Sequence, residues 1–192
     1  MKKSVEGRIY LYLVAVVVLA LSFIFDNSVA SFFSSHQTSF LKGIFIFINN
    51  YGIYLLFIIP VIILLLSKRN KELLVFVIAF AFMSASTEII KHIIARPRPF
   101  TKFSEFSSLG ESANSSFPSG HASSSATGIR FFEFKKWIYV VWIAVTVFVM
   151  FSRVYLGMHY LSDVIAGAIV GYAAGDITMF FAEKFHNRRN KR

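Results

Sequence analysis

The chain has 192 residues, of which 56% are hydrophobic and only 16% charged, with 23 phenylalanines and a mean hydropathy of +0.62. So few charges cannot cover so much apolar chain in water, so composition excludes an ordinary soluble domain and points to an all-α integral membrane protein. The net charge of +10 does not describe a nucleic-acid binder, because Lys and Arg fall in short segments between apolar runs and no polar domain carries a basic patch. With no cysteine, the chain has no disulfide framework, thiolate nucleophile or Cys-ligated zinc site.

Ile9 to Phe25 is an uncharged apolar run, read as a retained first helix because no small-residue cleavage site follows and further spans come after it. Asp26 to Asn50 is mixed, and its short apolar segment Ile44 to Ile48 suits an interfacial or partly re-entrant stretch. Tyr51 to Leu66 forms the second span, with Pro60 tolerated inside a bundle. Leu73 to Ala95 is the third, and its last third carries Glu88, Lys91 and His92. A polar loop rich in Ser follows from Arg96 to Phe117. Pro118 to Phe132 is expected to be a fourth span, buried among the others because Ala, Ser and Gly permit close packing. Trp137 to Leu156 and Tyr160 to Ala182 are the fifth and sixth, and a basic tail ends the chain. The expected architecture is a single membrane domain over residues 1–192, a bundle of six transmembrane helices.

Charge sets the expected orientation. With the amino terminus inside, one side holds Lys2, Lys3, Arg8, Lys68, Arg69, Lys71, Arg130, Lys135, Lys136, Lys184, Arg188, Arg189, Lys191 and Arg192. The other holds Lys42, Lys91, Arg96, Arg98, Lys102 and Arg153. Basic residues favour the cytoplasmic side, so both termini are expected there, in a cell inner (plasma) membrane. The smaller outer set needs another reason to exist.

Three polar clusters share that outer, extracytoplasmic face. They are Lys91 to Pro99, Pro118 to His121, and Ser152 to Asp163. Lys91, Arg98 and Arg153 bring fixed positive charge, with Arg suited to gripping a tetrahedral oxyanion and Lys acting as a compact point charge. Pro118 suits the start of a helix, so Ser119, Gly120 and His121 present free backbone N–H groups, an anion site that Gly lets a ligand approach. The implied ligand is a phosphate. His159 and Asp163 are four apart and share a helix face, so the carboxylate can orient the imidazole and leave one nitrogen free to attack phosphorus. His121, on the opposite wall, can protonate the departing alkoxide. The basic residues supply the charge that a divalent cation would otherwise bring, so neither metal nor cofactor is expected.

Other residues have plainer readings. Lys91 could simply pair with Glu88, and His92 is structural. Arg96 is expected to face solvent or lipid headgroups. Ser123, Ser124 and Ser125 are small packing residues. Gly167, Gly171 and Gly175 form a stripe that packs within the bundle. Asp176 has no evident function.

The order Lys91, Arg98-Pro99, then Pro118-Ser119-Gly120-His121, then Ser152-Arg153, His159 and Asp163 resembles the full signature of the phosphatidic acid phosphatase type 2 superfamily, in its membrane branch, over about residues 73–182. That resemblance implies metal-independent hydrolysis of a phosphomonoester or diphosphate through a phosphohistidine. His159 would be the nucleophile, Asp163 its partner and His121 the general acid. Lys91, Arg98, Ser119, Gly120, His121 and Arg153 would bind phosphate. It implies a phosphorylated lipid as substrate, such as phosphatidylglycerol phosphate, phosphatidic acid, undecaprenyl diphosphate or a lipid A phosphate. The alternatives are a phosphotransferase that uses the same site with a hydroxyl acceptor, and a non-enzymatic lipid-phosphate transporter.

Overall fold

The computed structural model describes residues 2–189. Met1 and residues 190–192, including Lys191 and Arg192 of the basic tail, lie outside the described residues. Among the described residues six α-helices follow one another: α1 Lys2–His36, α2 Ser39–Leu66, α3 Asn70–Ile94, α4 Gly120–Ile129, α5 Lys136–Tyr155 and α6 Leu161–Arg189. No strand occurs among the described residues. Long apolar runs suit helices in lipid, since a helix satisfies its own backbone N–H and C=O groups within one segment.

Two expectations change here. The mixed segment 26–50 is not re-entrant: its first part continues α1 to His36 and its last part opens α2, with only Gln37 and Thr38 between them. Thr38 caps α2 by accepting from Leu41 N at 3.4 Å, and its own N–H donates to the Tyr155 hydroxyl at 2.7 Å. The second change concerns the fourth span. Among the described residues five helices are long and apolar enough to cross a membrane, and α4 is not one of them. Its ten residues rise about 15 Å, half of a hydrocarbon core of about 30 Å. A 3₁₀ turn, Arg130–Phe132, extends it toward the start of α5.

The bundle is inverted relative to a soluble protein. Large apolar side chains such as Ile24, Tyr54, Ile78 and Val147 face outward, while Arg98, Arg153, His159 and Asp163 are buried inside. α4 runs parallel to α6 at the centre. The glycine stripe explains how closely: a Cβ on Gly167 would stand 2.5 Å from the Ser119 carbonyl oxygen and one on Gly175 2.9 Å from that of Thr127, with Gly171 meeting Ser123 between them. The steps of four on both helices keep this register along their length. Trp142 of α5 closes the other side of α4, donating its indole N–H to Ser125 O at 2.8 Å. Phe76, Leu64, Phe131 and Met179 pack the half of the bundle remote from the polar clusters.

Candidate active site

Chain breaks deliver the polar residues to one end of the bundle. α3 stops at Ala95 in a left-handed cap (φ 45°), after which Pro97 and Pro99 forbid further helix and leave Arg98 extended. α5 delivers Arg153 in its last turn, and Gly157 (φ 69°) turns the chain back, under the Phe106 ring, toward α6. α4 starts at the same level because Ser119 N–H donates to Asp163 O at 2.9 Å.

These elements enclose a cavity of about 190 Å³ whose wall includes Lys91, Arg98, Glu111, His121, Arg153 and His159. Gly120 also lines it, and a Cβ there would stand 3.6 Å from Lys91 Nζ. Lys91 keeps its ion pair with Glu88 at 2.9 Å while facing the cavity. Arg98, 2% exposed, is held by many acceptors: Ser112 O at 2.8 Å, Met158 O at 2.9 Å and Glu111 Oε2 at 2.8 Å. Arg153, 1% exposed, donates from Nη2 to Glu111 Oε1 at 2.8 Å, while its Nε and Nη1 have no partner. Buried guanidinium donors left unpaired beside a cavity are an unmet demand for an anion.

His159 is 2% exposed. Its Nδ1 lies 2.7 Å from Ser116 O. A carbonyl only accepts, so Nδ1 carries the proton and Nε2 keeps its lone pair. That Nε2 lies 3.3 Å from Arg98 Nη1. Burial, with the Arg153 and Arg98 guanidiniums beside it, pushes the imidazole well below its ordinary range, so the ring is neutral. Asp163 does not bond the ring directly: Oδ2 lies 3.8 Å from Nδ1. The same oxygen accepts from the Ser116 hydroxyl and from Tyr160 N–H at 2.7 Å. Asp163 therefore reaches the imidazole through Ser116 as well as through space.

His121 closes the opposite wall with Nε2 3.2 Å from Asn49 O of α2. Ser119 differs from expectation. It is fully buried off the cavity wall, and its hydroxyl caps α4 through Ala122 N at 3.5 Å. Arg96 also differs. It does not face solvent or headgroups but is drawn inward between two carboxylates, Asp26 at 2.7 Å and Asp163 at 2.6 Å. His92 bonds Glu88 O and stays outside the site.

Glu111 and Ser116 were missed by sequence reading. Burial raises the Glu111 carboxyl, but Arg153 and Arg98 outweigh it and hold the group down at about 2. The signal for Glu111 was faint: an acid in a serine-rich loop gives no hint that it bridges two arginines.

The model of the PAP2 superfamily matches residues 72–186. An undecaprenyl-diphosphatase of Sulfolobus acidocaldarius is 33% identical over 140 residues, 71% of this chain and 68% of that protein. A phosphatidylglycerophosphatase B of Bacillus subtilis is 28% identical over 152 residues, 70% of this chain and 72% of that protein. In fold, the chain matches the crystal structure of a transmembrane PAP2-type phosphatidylglycerolphosphate phosphatase from Bacillus subtilis with a TM-score of 0.71 and 23% identity, covering 92% of this chain and 96% of that one.

Proposed function

Because the chain belongs to the PAP2 superfamily and is a multi-pass membrane phosphatase, we propose that it removes phosphate from a lipid headgroup at the extracytoplasmic face through a phosphohistidine on His159. The observation that carries this reading is the pairing of a lone-pair-bearing His159 Nε2 with the unpartnered Nε and Nη1 of Arg153 in one cavity. In the first step His159 Nε2 forms a bond to phosphorus and the bond from phosphorus to the ester oxygen breaks. The electron pair leaves with that oxygen, and His121 donates the proton it needs. Lys91, Arg98, Arg153 and the first N–H groups of α4 hold the charge that spreads over the equatorial oxygens. In the second step water attacks phosphorus, His121 takes its proton, and Nε2 is released. Both steps balance without a metal, so hydrolysis is expected to continue in EDTA.

Substrate class follows from position. The cavity is flanked by Ile53 of α2 and Met83 of α3, in a bundle whose outer surface is apolar, which suits a phosphate carried on a hydrocarbon chain. Phosphatidylglycerol phosphate, phosphatidic acid, undecaprenyl diphosphate and lipid A phosphates are the panel to compare. The basic residues support the sidedness. Arg8 and Arg130 pair with Asp176 at the end of the bundle away from the cavity, the side on which most Lys and Arg fall.

The test is to trap the intermediate. Purified protein given a labelled lipid phosphate and quenched without acid should carry phosphate on histidine, with His159→Ala carrying none and turning over no substrate. Phosphate mapping to His121, or an active His159→Ala, rules the assignment out.

A further inference from the structure

The buried acid of α1 has no place in the chemistry above, and α1 lies outside the residues matched by the family model. Asp26 is 2% exposed in a helix long and apolar enough to cross a membrane, and a buried ionisable group there needs a reason. Both of its oxygens are engaged. Oδ1 accepts from Ser162 N–H at 2.8 Å, and Oδ2 accepts from the Ser162 hydroxyl at 2.6 Å and from Arg96 Nη2 at 2.7 Å. The other nitrogen of that guanidinium, Nη1, donates to Asp163 Oδ1 at 2.6 Å and to Ser162 Oγ at 2.7 Å. The Tyr160 ring lies against its plane, with its centroid 4.3 Å from Cζ.

The path then runs to the attacking nitrogen. Asp163 Oδ1 is fixed by Arg96, which sets where Oδ2 points. Oδ2 binds the Ser116 hydroxyl, and the Ser116 carbonyl holds His159 Nδ1 at 2.7 Å. Along this path each of Arg96, Asp163 and Ser116 meets the residue before it and the residue after it through different atoms, so the order of the chain is unambiguous.

We propose that Arg96, anchored by Asp26 of α1, is a positioning residue for the His159 attack, acting through Asp163 and Ser116 rather than on phosphate. It rests on the reading of His159 as nucleophile. Two features favour it over a plain structural ion pair. Arg96 does not line the cavity, so it is not part of the phosphate cradle. Yet it binds the carboxylate that lies 3.8 Å from Nδ1 of the reacting ring. As Nε2 bonds phosphorus, positive charge grows on the imidazole, and a carboxylate free to swing would lose its hold on Ser116 just when it is needed.

The experiment uses the full chain, purified in detergent, with lipid turnover, inhibition by inorganic phosphate and the pH profile measured for each variant. Arg96→Gln is expected to lower kcat about ten- to hundredfold, the range seen when a group that orients a reacting side chain is removed. Inhibition by inorganic phosphate should stay within about twofold, since Lys91, Arg98 and Arg153 are untouched. Arg96→Lys should recover part of kcat, because it keeps the charge but only one of the two contacts. The acid limb of kcat/KM should move to higher pH in Arg96→Gln. His159 is faced by Arg98, Arg153, Glu111 and Asp163, and losing Arg96 leaves Asp163 uncompensated, which favours the protonated ring. In an Asp163→Asn background the further cost of Arg96→Gln should shrink to under about threefold. Should Arg96→Gln fail to fold, Asp26→Asn keeps an acceptor for Ser162 N–H, removes the anchoring charge, and should show the same pattern more weakly. Phosphate inhibition weakening in step with kcat, or losses that multiply in the double variant, would overturn the proposal. An active His159→Ala would instead overturn the nucleophile assignment beneath it.

Discussion

Two aspartates of α6 sit in arginine clusters at opposite ends of the bundle, and only one of them belongs to a site. Asp176 accepts from Arg8 at 2.6 Å and Arg130 at 3.2 Å, and Arg130 also meets Glu133 at 2.6 Å and Glu183 at 3.2 Å. Acids and bases there satisfy each other, and the cluster ties α1, the end of α4 and α6 together. Asp163 pairs with Arg96 at 2.6 Å in much the same way. Next to it, however, Arg153 keeps two buried donors without partners, and a helix begins with free N–H groups. A buried charge cluster is therefore not a site by itself. What distinguishes the site is binding capacity that the protein leaves unfilled beside an imidazole, that of His159, whose Nδ1 is held by the Ser116 carbonyl.

His121 gives the sharpest test of that contrast, because it should matter most when a poor leaving group departs. A lipid alkoxide needs a proton as it leaves, whereas an activated aryl oxide does not. His121→Ala is expected to lower kcat on a lipid phosphate about a hundred- to ten-thousandfold, and on an activated aryl phosphate about tenfold or less. Equal losses on both substrates would mean that His121 serves phosphate binding alone.

Arg153 tests the unfilled capacity itself. Arg153→Gln removes the guanidinium while leaving an amide able to reach toward Glu111. If the free Nε and Nη1 meet the transferring phosphoryl group, kcat/KM should fall about a hundred- to thousandfold, as when a preorganised oxyanion donor is lost. Inhibition by vanadate, which mimics pentacoordinate phosphorus, should weaken in parallel. A variant that keeps tight vanadate inhibition would show that the free donors look elsewhere.

The site residues stood out in the sequence because they are polar types set in apolar surroundings, where each costs free energy unless it is used. Lys91, Arg98, His121, Arg153 and His159 do line one cavity. Helices α3, α5 and α6 were legible from their apolar runs, although α1 and α2 outran theirs: the segment from Asp26 to Asn50 reads as mixed but is helical on both sides of Gln37 and Thr38, and Asp26 is satisfied by Arg96 and Ser162. The length of α4 was not legible, because small residues say how closely a segment packs and not how far it runs. Arg96 was misread for a different reason. Its partner Asp26 lies 70 residues earlier, on a helix whose rotation no local pattern reveals. Ser116 and Glu111 belong to a loop whose path is set by the arginines it wraps, so their roles appear only once the fold brings them together.

The smallest expected effect is at the far cluster. Asp176→Asn removes a carboxylate whose side chain is 13% exposed, leaving Arg8 and Arg130 beside a neutral amide that can still accept one hydrogen bond. Arg130 retains Glu133 and Glu183, so the loss is partial rather than the full penalty of a stranded buried charge. The cluster touches no residue of the cavity, so kcat and KM on lipid phosphate should stay within about twofold of wild type. Stability should register the change instead, with the thermal midpoint falling by about 3 °C for each kcal/mol lost in a chain of this size. Asp163→Asn makes the matched comparison, the same substitution on the same helix, and there activity should collapse before stability does. If Asp176→Asn lost activity more than about tenfold with an unchanged melting temperature, the far cluster would have to be coupled to the chemistry, and the division of α6 into a working end and a fastening end would fail.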